Sequence, residues 1–248
     1  MKTVKISALV IAMAGVFATS AQAQSAKKNA WEGAYGQLGV GFGIFTPSLS
    51  NGTPKYPAPY SSVPATMSTS NINNVNTGIV NLAAGYNFGI NESYVLGVGA
   101  TYYPGASSSA TGNLTVGTSV SPYSLSPALN KTETATYNVK NLYSIVLTPG
   151  YVIDKDRLAY AKVGYTGATI GISTASIAYN TTNLTGYTLG LGYKQMVSSS
   201  IYAFGEVNYA AYGNKTVSTI TSSSGATYSG IGVKGTGLDF LVGVGYRF

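Results

Sequence analysis

The last eleven residues, Leu238-Asp239-Phe240-Leu241-Val242-Gly243-Val244-Gly245-Tyr246-Arg247-Phe248, decide how the chain is read. Leu238, Phe240, Val242, Val244, Tyr246 and Phe248 share one parity, and Asp239, Gly243, Gly245 and Arg247 share the other. Successive side chains in a strand point to opposite faces. One face is therefore apolar up to the final residue, while the other is small or polar.

Working back along the chain, the same division recurs seven times. Ala34, Leu38, Val40, Phe42 and Ile44 oppose Tyr35, Gln37, Gly39, Gly41 and Gly43; Val80 to Phe88 and Tyr94 to Tyr102 repeat it. Tyr143, Ile145, Leu147 and Tyr151 oppose Ser144, Thr148 and Gly150, and Ala159 to Tyr165 oppose Tyr160, Lys162, Gly164 and Thr166. Tyr187 to Tyr193 form a sixth run, and Ile201 to Tyr209 a noisier seventh. Eight strands result. A soluble sandwich also alternates, but its polar face is wet and carries Lys, Glu and Thr. Here that face is mostly glycine, which weakens an ordinary strand. A narrow closed barrel explains it, because its interior admits few large side chains. The apolar face then meets lipid, and tyrosines at both strand ends match interfacial girdles. The expected fold is all-β, an eight-stranded antiparallel up-and-down transmembrane β-barrel.

The connections agree. Long ones (46–76, 104–136, 173–185, 214–233) alternate with short turns at 91–93, 154–157 and 197–200. Short periplasmic turns and long extracellular loops are the asymmetry of outer-membrane barrels. Segments such as Leu114 to Val120 could extend strands above the membrane, which leaves ten spanning strands open as an alternative.

Composition narrows the function. Only 8% of the 248 residues are charged, against about a quarter in a soluble domain. With no cysteine and no histidine, disulfides, thiol nucleophiles, zinc-thiolate sites and Ser-His-Asp triads are excluded. No serine lies in a G-x-S-x-G elbow, and the glycine repeats lack G-x-G-x-x-G spacing. No catalytic, cofactor or metal site is expected. Residues 1–23 read as a secretory signal: Lys2 and Lys5, an apolar stretch from Ile6 to Ala18, then Ala21-Gln22-Ala23. A short periplasmic tail (24–30) and the barrel domain (31–248) follow, with Trp31 expected at the inner interface. Without Lys2 and Lys5, the 14 basic residues become 12 against 7 acidic. They are scattered, which gives nucleic-acid binding no support.

Phe240, Val242, Val244, Tyr246 and Phe248 resemble the carboxyl-terminal signal read by the barrel assembly machinery of Gram-negative bacteria. Leu147-Thr148-Pro149-Gly150-Tyr151, Leu158 to Tyr165, Gly186 to Tyr193 and Phe204 to Tyr209 resemble the small outer-membrane β-barrel family. That family comprises opacity-type "porin family" proteins and OmpA-like transmembrane barrels. The resemblance implies an outer-membrane location and biogenesis through periplasmic chaperones and the assembly machinery. It also implies contact with outer-membrane lipid and lipopolysaccharide. The peptidoglycan-binding domain of full OmpA-like proteins has no counterpart, so wall tethering is not implied.

Charges on the inward parity are Lys140, Lys162, Lys194, Glu206, Asp239 and Arg247. Glu206 has Lys194 on the preceding strand and Arg247 on the following one, and an unpaired buried carboxylate is costly, so pairing with them is expected. Such a network is either a structural plug or the gate of a small pore. Tyr56, Pro57, Pro59, Tyr60 and Tyr123 suit the long loops to a surface ligand, or the loops only shield the barrel. The expected role is non-enzymatic: envelope integrity and loop-mediated interaction, with a narrow channel for ions or very small solutes as the alternative.

Overall fold

The computed structural model describes residues 29–104 and 108–248. The expected signal and most of the tail therefore lie outside the described residues. The strands are β1 (Gly33–Leu49), β2 (Thr53–Lys55), β3 (Thr66–Ser70), β4 (Val75–Gly89), β5 (Tyr94–Tyr102), β6 (Ser108–Gly117) and β7 (Lys131–Asp154). Then follow β8 (Arg157–Ser173), β9 (Asn180–Met196), β10 (Ile201–Thr216), β11 (Ile220–Thr221), β12 (Thr227–Ser229) and β13 (Gly232–Arg247). Eight of them close a ring in the order β1-β4-β5-β7-β8-β9-β10-β13. The first and last pair antiparallel from Tyr35↔Arg247 to Leu49↔Val233. Every ring neighbour is also a neighbour in the ring's chain order, which is the expected up-and-down barrel.

The ladder also settles the ten-strand alternative. β6 pairs with the upper part of β7, directly beyond the stretch that pairs with β5, and β3 pairs with β6 beyond β4. These pieces continue existing staves and add none to the ring. β2, β12 and β11 form a separate small sheet at the loop end. The long connections are thus largely strand, not loop.

Two aromatic belts bound the lipid-facing zone. At the turn end Phe88, Tyr94, Tyr151, Tyr193, Tyr246 and Phe248 are exposed on the outside; the Tyr94 and Tyr151 rings lie 5.5 Å apart. At the other end Tyr102, Tyr143, Tyr165, Tyr187 and Tyr209 occupy five consecutive staves. β5 runs from one belt to the other in 9 residues, close to the roughly 9–11 a tilted spanning strand needs. Between the belts Leu38, Val40, Val98, Leu147, Leu191 and Val242 face outward and exposed.

Beyond the second belt the pattern inverts. On β8 and β9 the inward positions become Ala168, Ile170 and Leu184, all buried, while Thr169 and Asn183 face outward and hydrogen bond at 2.9 Å. On β7 the inversion comes from a bulge between Lys140 and Tyr143, where Asn141 has a φ of 51–52° class left-handed backbone, namely 52°. An extra residue there shifts every side chain above it to the opposite face. Ala135, Tyr137 and Val139 consequently point in, and Lys140 points out. The expectation of Lys140 in the lumen is corrected: parity counting does not survive a bulge. The inward residues join Phe45, Met67, Leu114, Ile177 and Val233 in one apolar core. The loop end is built like a water-soluble barrel stacked on a lipid-soluble one.

Tyr56, expected at the surface, is instead part of that core, with its hydroxyl donating to Leu129 O at 2.6 Å. Tyr60 and Tyr123 pack edge to face at 5.9 Å. Glu133 latches the 174–177 turn to β7. It accepts from Thr174 Oγ1 (2.6 Å), Ser176 Oγ (2.6 Å) and Ser176 N (3.1 Å), and pairs with Lys131 at 2.7 Å. Burial opposes its charge, but the bonds from Lys131, Ser176 and Thr174 prevail and hold the carboxyl down at about 2, below its ordinary 4.5. A carboxyl lowered on folding contributes fully above its unfolded value and loses that contribution as pH falls towards the folded one. Hydrogen exchange at Thr174–Ile177 should therefore stay slow above about pH 4.5 and quicken between pH 4.5 and 2; exchange that is flat across that window would refute the latch.

Two lumen glycines carry a second expectation. A Cβ on Gly245 would lie 2.2 Å from the Tyr202 ring, and one on Gly192 2.2 Å from the Tyr160 ring. Both tyrosines lie flat against backbone that only glycine leaves bare. Gly245→Val should cost about 1–3 kcal/mol as overpacking, read as a lower urea midpoint for unfolding from lipid vesicles. The same change at Gly36, which meets nothing within 4 Å, should cost far less.

Candidate functional site

The lumen between the two belts is filled in layers, starting at the turn end. Trp31 is 1% exposed and packs edge to face on Tyr202 at 5.8 Å. Its indole Nε1 donates to Asp154 O at 3.3 Å, and Asn87 Nδ2 donates to its carbonyl at 3.1 Å. Trp31 was expected at the lipid interface. It is instead the stopper of the barrel's turn end, because the tail folds back under the ring.

Above it lies Lys194, 4% exposed. Its Nζ sits 4.2 Å from the ring centre of Tyr35 and 4.9 Å from those of Tyr160 and Tyr202. A cation over three aromatic faces is stabilised by their quadrupoles, most strongly where water is excluded. The next layer centres on Glu206. Its Oε2 accepts from Lys162 Nζ at 2.6 Å and Asn208 Nδ2 at 3.2 Å. Its Oε1 accepts from Tyr160 OH at 2.5 Å and Gln37 Nε2 at 3.3 Å. Both charged side chains are nearly inaccessible, 6% for Lys162 and 2% for Glu206. Asn208 Nδ2 also donates to Asp239 Oδ1 at 2.8 Å, and Tyr103 OH reaches Asp239 Oδ2 at 3.4 Å. The apolar core of the loop end begins immediately beyond.

The structure thus brings Lys162, Lys194, Glu206 and Asp239 together and leaves Arg247 apart. Arg247 is at the turn-end rim, donating to Ser199 O at 2.9 Å. The expected pairing of Glu206 with Lys194 or Arg247 is corrected: its ion-pair partner is Lys162. Adjacent-strand reasoning missed this because a narrow ring lets side chains meet across the lumen. β8 and β10 are separated by β9, yet Lys162 and Glu206 touch. Two positive and two negative groups make the plug neutral as a whole. Asn81 is fully buried with neither side-chain polar atom bonded, and Asn208 Oδ1 also lacks a partner. Sequence reasoning also missed Gln37, Tyr35, Tyr103, Tyr160 and Tyr202. The available signal was that these are large side chains on a parity otherwise given to glycine. Phe240, Val242, Val244, Tyr246 and Phe248 are all exposed on the outer face, and Phe248 N donates to Ala34 O at 3.0 Å.

The chain matches the family described as outer membrane protein beta-barrel domain over residues 9–248, and it belongs to that family. No curated protein matches the sequence. Among solved structures it is similar to the outer membrane protein OprG from Pseudomonas aeruginosa: 13% identity, 90% of this chain and 99% of that one, TM-score 0.55. It also matches the attachment invasion locus protein Ail of Yersinia pestis (14% identity, 87% and 99% covered, TM-score 0.42). A third match is Neisserial surface protein A (13%, 88% and 100%, TM-score 0.40). At such identities the likeness to OprG speaks for the fold alone.

Removing one partner of a buried pair leaves the other charge uncompensated, at a cost of about 3–5 kcal/mol. Glu206→Ala should lower barrel stability by that order in urea titrations from vesicles. Joining it to Lys162→Met should recover most of the loss; equal instability of the single and double variants would show that the pair is not the unit that matters.

Proposed function

We propose that this protein is a non-enzymatic outer-membrane barrel whose lumen is sealed and whose work is structural and surface-facing. It strengthens the envelope as a lipid-embedded stave ring and displays a rigid platform at the cell surface. The observation that carries this reading is the plug. Trp31, the caged Lys194 and the Lys162–Glu206 pair occupy successive levels of a lumen that narrows to side-chain width. The apolar core behind them adds a second barrier to ions. In this reading the loop end faces outward, as in barrels with short periplasmic turns. The lipid-facing terminal strand ending on Phe248 then serves as the assembly signal. Zero histidine and zero cysteine support the non-enzymatic reading. Passage of very small solutes is the second reading, and it requires the plug to rearrange.

Planar-bilayer recording decides between them. The refolded protein, its folding confirmed by a heat-modifiable gel shift, should be electrically silent. Discrete openings of reproducible size would overturn the sealed-barrel reading and make Lys162 and Glu206 the residues to exchange. The platform's orientation has its own check: protease added to intact cells should cut the loop end and spare the 154–157 turn.

A further inference from the structure

The charges outside the lumen are unevenly divided between the two ends. The turn end carries Glu32, Glu92, Asp154 and Asp156 with Lys155, Arg157 and Arg247. The loop end carries Lys55, Lys131, Lys140, Lys215 and Lys234, and its single acidic residue is Glu133. Glu133 is already committed to Lys131, Thr174 and Ser176. Hence the loop end is cationic, and no carboxylate there remains to balance Lys140, Lys215 or Lys234.

The height of these three lysines is informative. Lys140 lies just beyond Tyr143 of the second aromatic belt, turned outward by the bulge at Asn141, with its Nζ 5.2 Å from the Tyr179 ring centre. Lys234 is exposed on the outer parity of β13, two outward positions beyond the lipid-facing Leu238. Lys215 is exposed on β10, across the ladder from Val233 beside Lys234. With a rise of about 3.4 Å per residue and a tilt of about 40°, Lys234 stands roughly 10 Å above Leu238. All three ammonium groups are therefore at the level where a bilayer's acyl chains give way to its headgroups.

We propose that Lys140, Lys215 and Lys234 bind the phosphate groups of the phosphorylated glycolipid of the outer leaflet, lipid A. The bulge at Asn141 serves this binding, because without it Lys140 would point into the lumen. Beside a hydrocarbon slab, an ammonium–phosphate contact is screened less than in open water, and each lysine near an anionic surface contributes appreciably. The four carboxylates at the turn end suit the opposite, periplasmic side and would repel such a lipid. The inference rests on the outward orientation of the loop end taken above. That orientation is tested separately, by protease on intact cells, so the two can fail independently.

The test is a titration of the folded full-length protein, in uncharged detergent, with lipid A, with dephosphorylated lipid A and with phosphatidylglycerol. Lipid A should bind, and its dephosphorylated form should bind far more weakly. From the typical contribution of a surface lysine, each Lys→Gln change should weaken binding about fivefold and the triple variant about 100-fold. Lys155→Gln, at the turn end, should leave it unchanged. The three positions are exposed or half-exposed, and a melting curve in detergent alone should match the native protein; if the triple variant does not fold, Lys234→Gln alone still carries the fivefold test. Unchanged affinity in a folded variant would overturn the proposal. Equal affinity for phosphatidylglycerol at matched charge would also overturn it, by reducing the lysines to non-specific attraction.

Discussion

Everything in this molecule depends on the closure of β1 onto β13. In hydrocarbon a backbone N–H or C=O has no water to bond, and each one left unpaired costs several kcal/mol. An open eight-stranded sheet would present two such edges to lipid. Continuous pairing from Tyr35↔Arg247 to Leu49↔Val233 removes both. Closure also sets the diameter, and the diameter dictates the interior.

A ring this narrow cannot hold large residues at every inward position, so glycine and tyrosine divide the lumen. Tyr160 and Tyr202 lie over Gly192 and Gly245, and those rings then become two walls of the cage around Lys194. The glycine-rich parity and the buried cation are one design: bare backbone admits the rings, and the rings make a charge tolerable without a carboxylate. Glu206 is treated differently, with four donors around one carboxylate. Lysine in an aromatic cage and glutamate in a donor shell are two solutions to the same desolvation problem.

The second consequence of closure lies beyond the membrane. The staves continue past the tyrosine belt into water, where the outward face must become polar and the inward face can become apolar. β8 and β9 make the change by sequence alone, with Thr169 and Asn183 outside and Ile170 and Leu184 inside. β7 makes it with a bulge. The same ladder therefore runs through two solvents, and Lys140 owes its outward position to the residue that adjusts β7 between them.

The sequence by itself determined the barrel, its eight staves, its lipid face and the inward position of Lys162, Lys194, Glu206 and Asp239. These follow from period-two alternation, which is local: each residue's face is settled by its neighbours in the chain. The inversion beyond Tyr165 and Tyr187 was equally local and legible, as Thr and Asn replacing apolar residues on the outer parity. Only the tertiary structure decided that Glu206 pairs with Lys162, that three tyrosines from different staves surround Lys194, and that Trp31 stoppers the turn end. Those contacts cross the lumen between non-adjacent strands, so they depend on the curvature of the closed ring and not on any spacing along the chain. Lys140 shows the boundary between the two kinds of information. Its face depends on one extra residue at Asn141, a bulge demanded by the partner strand and invisible to alternation.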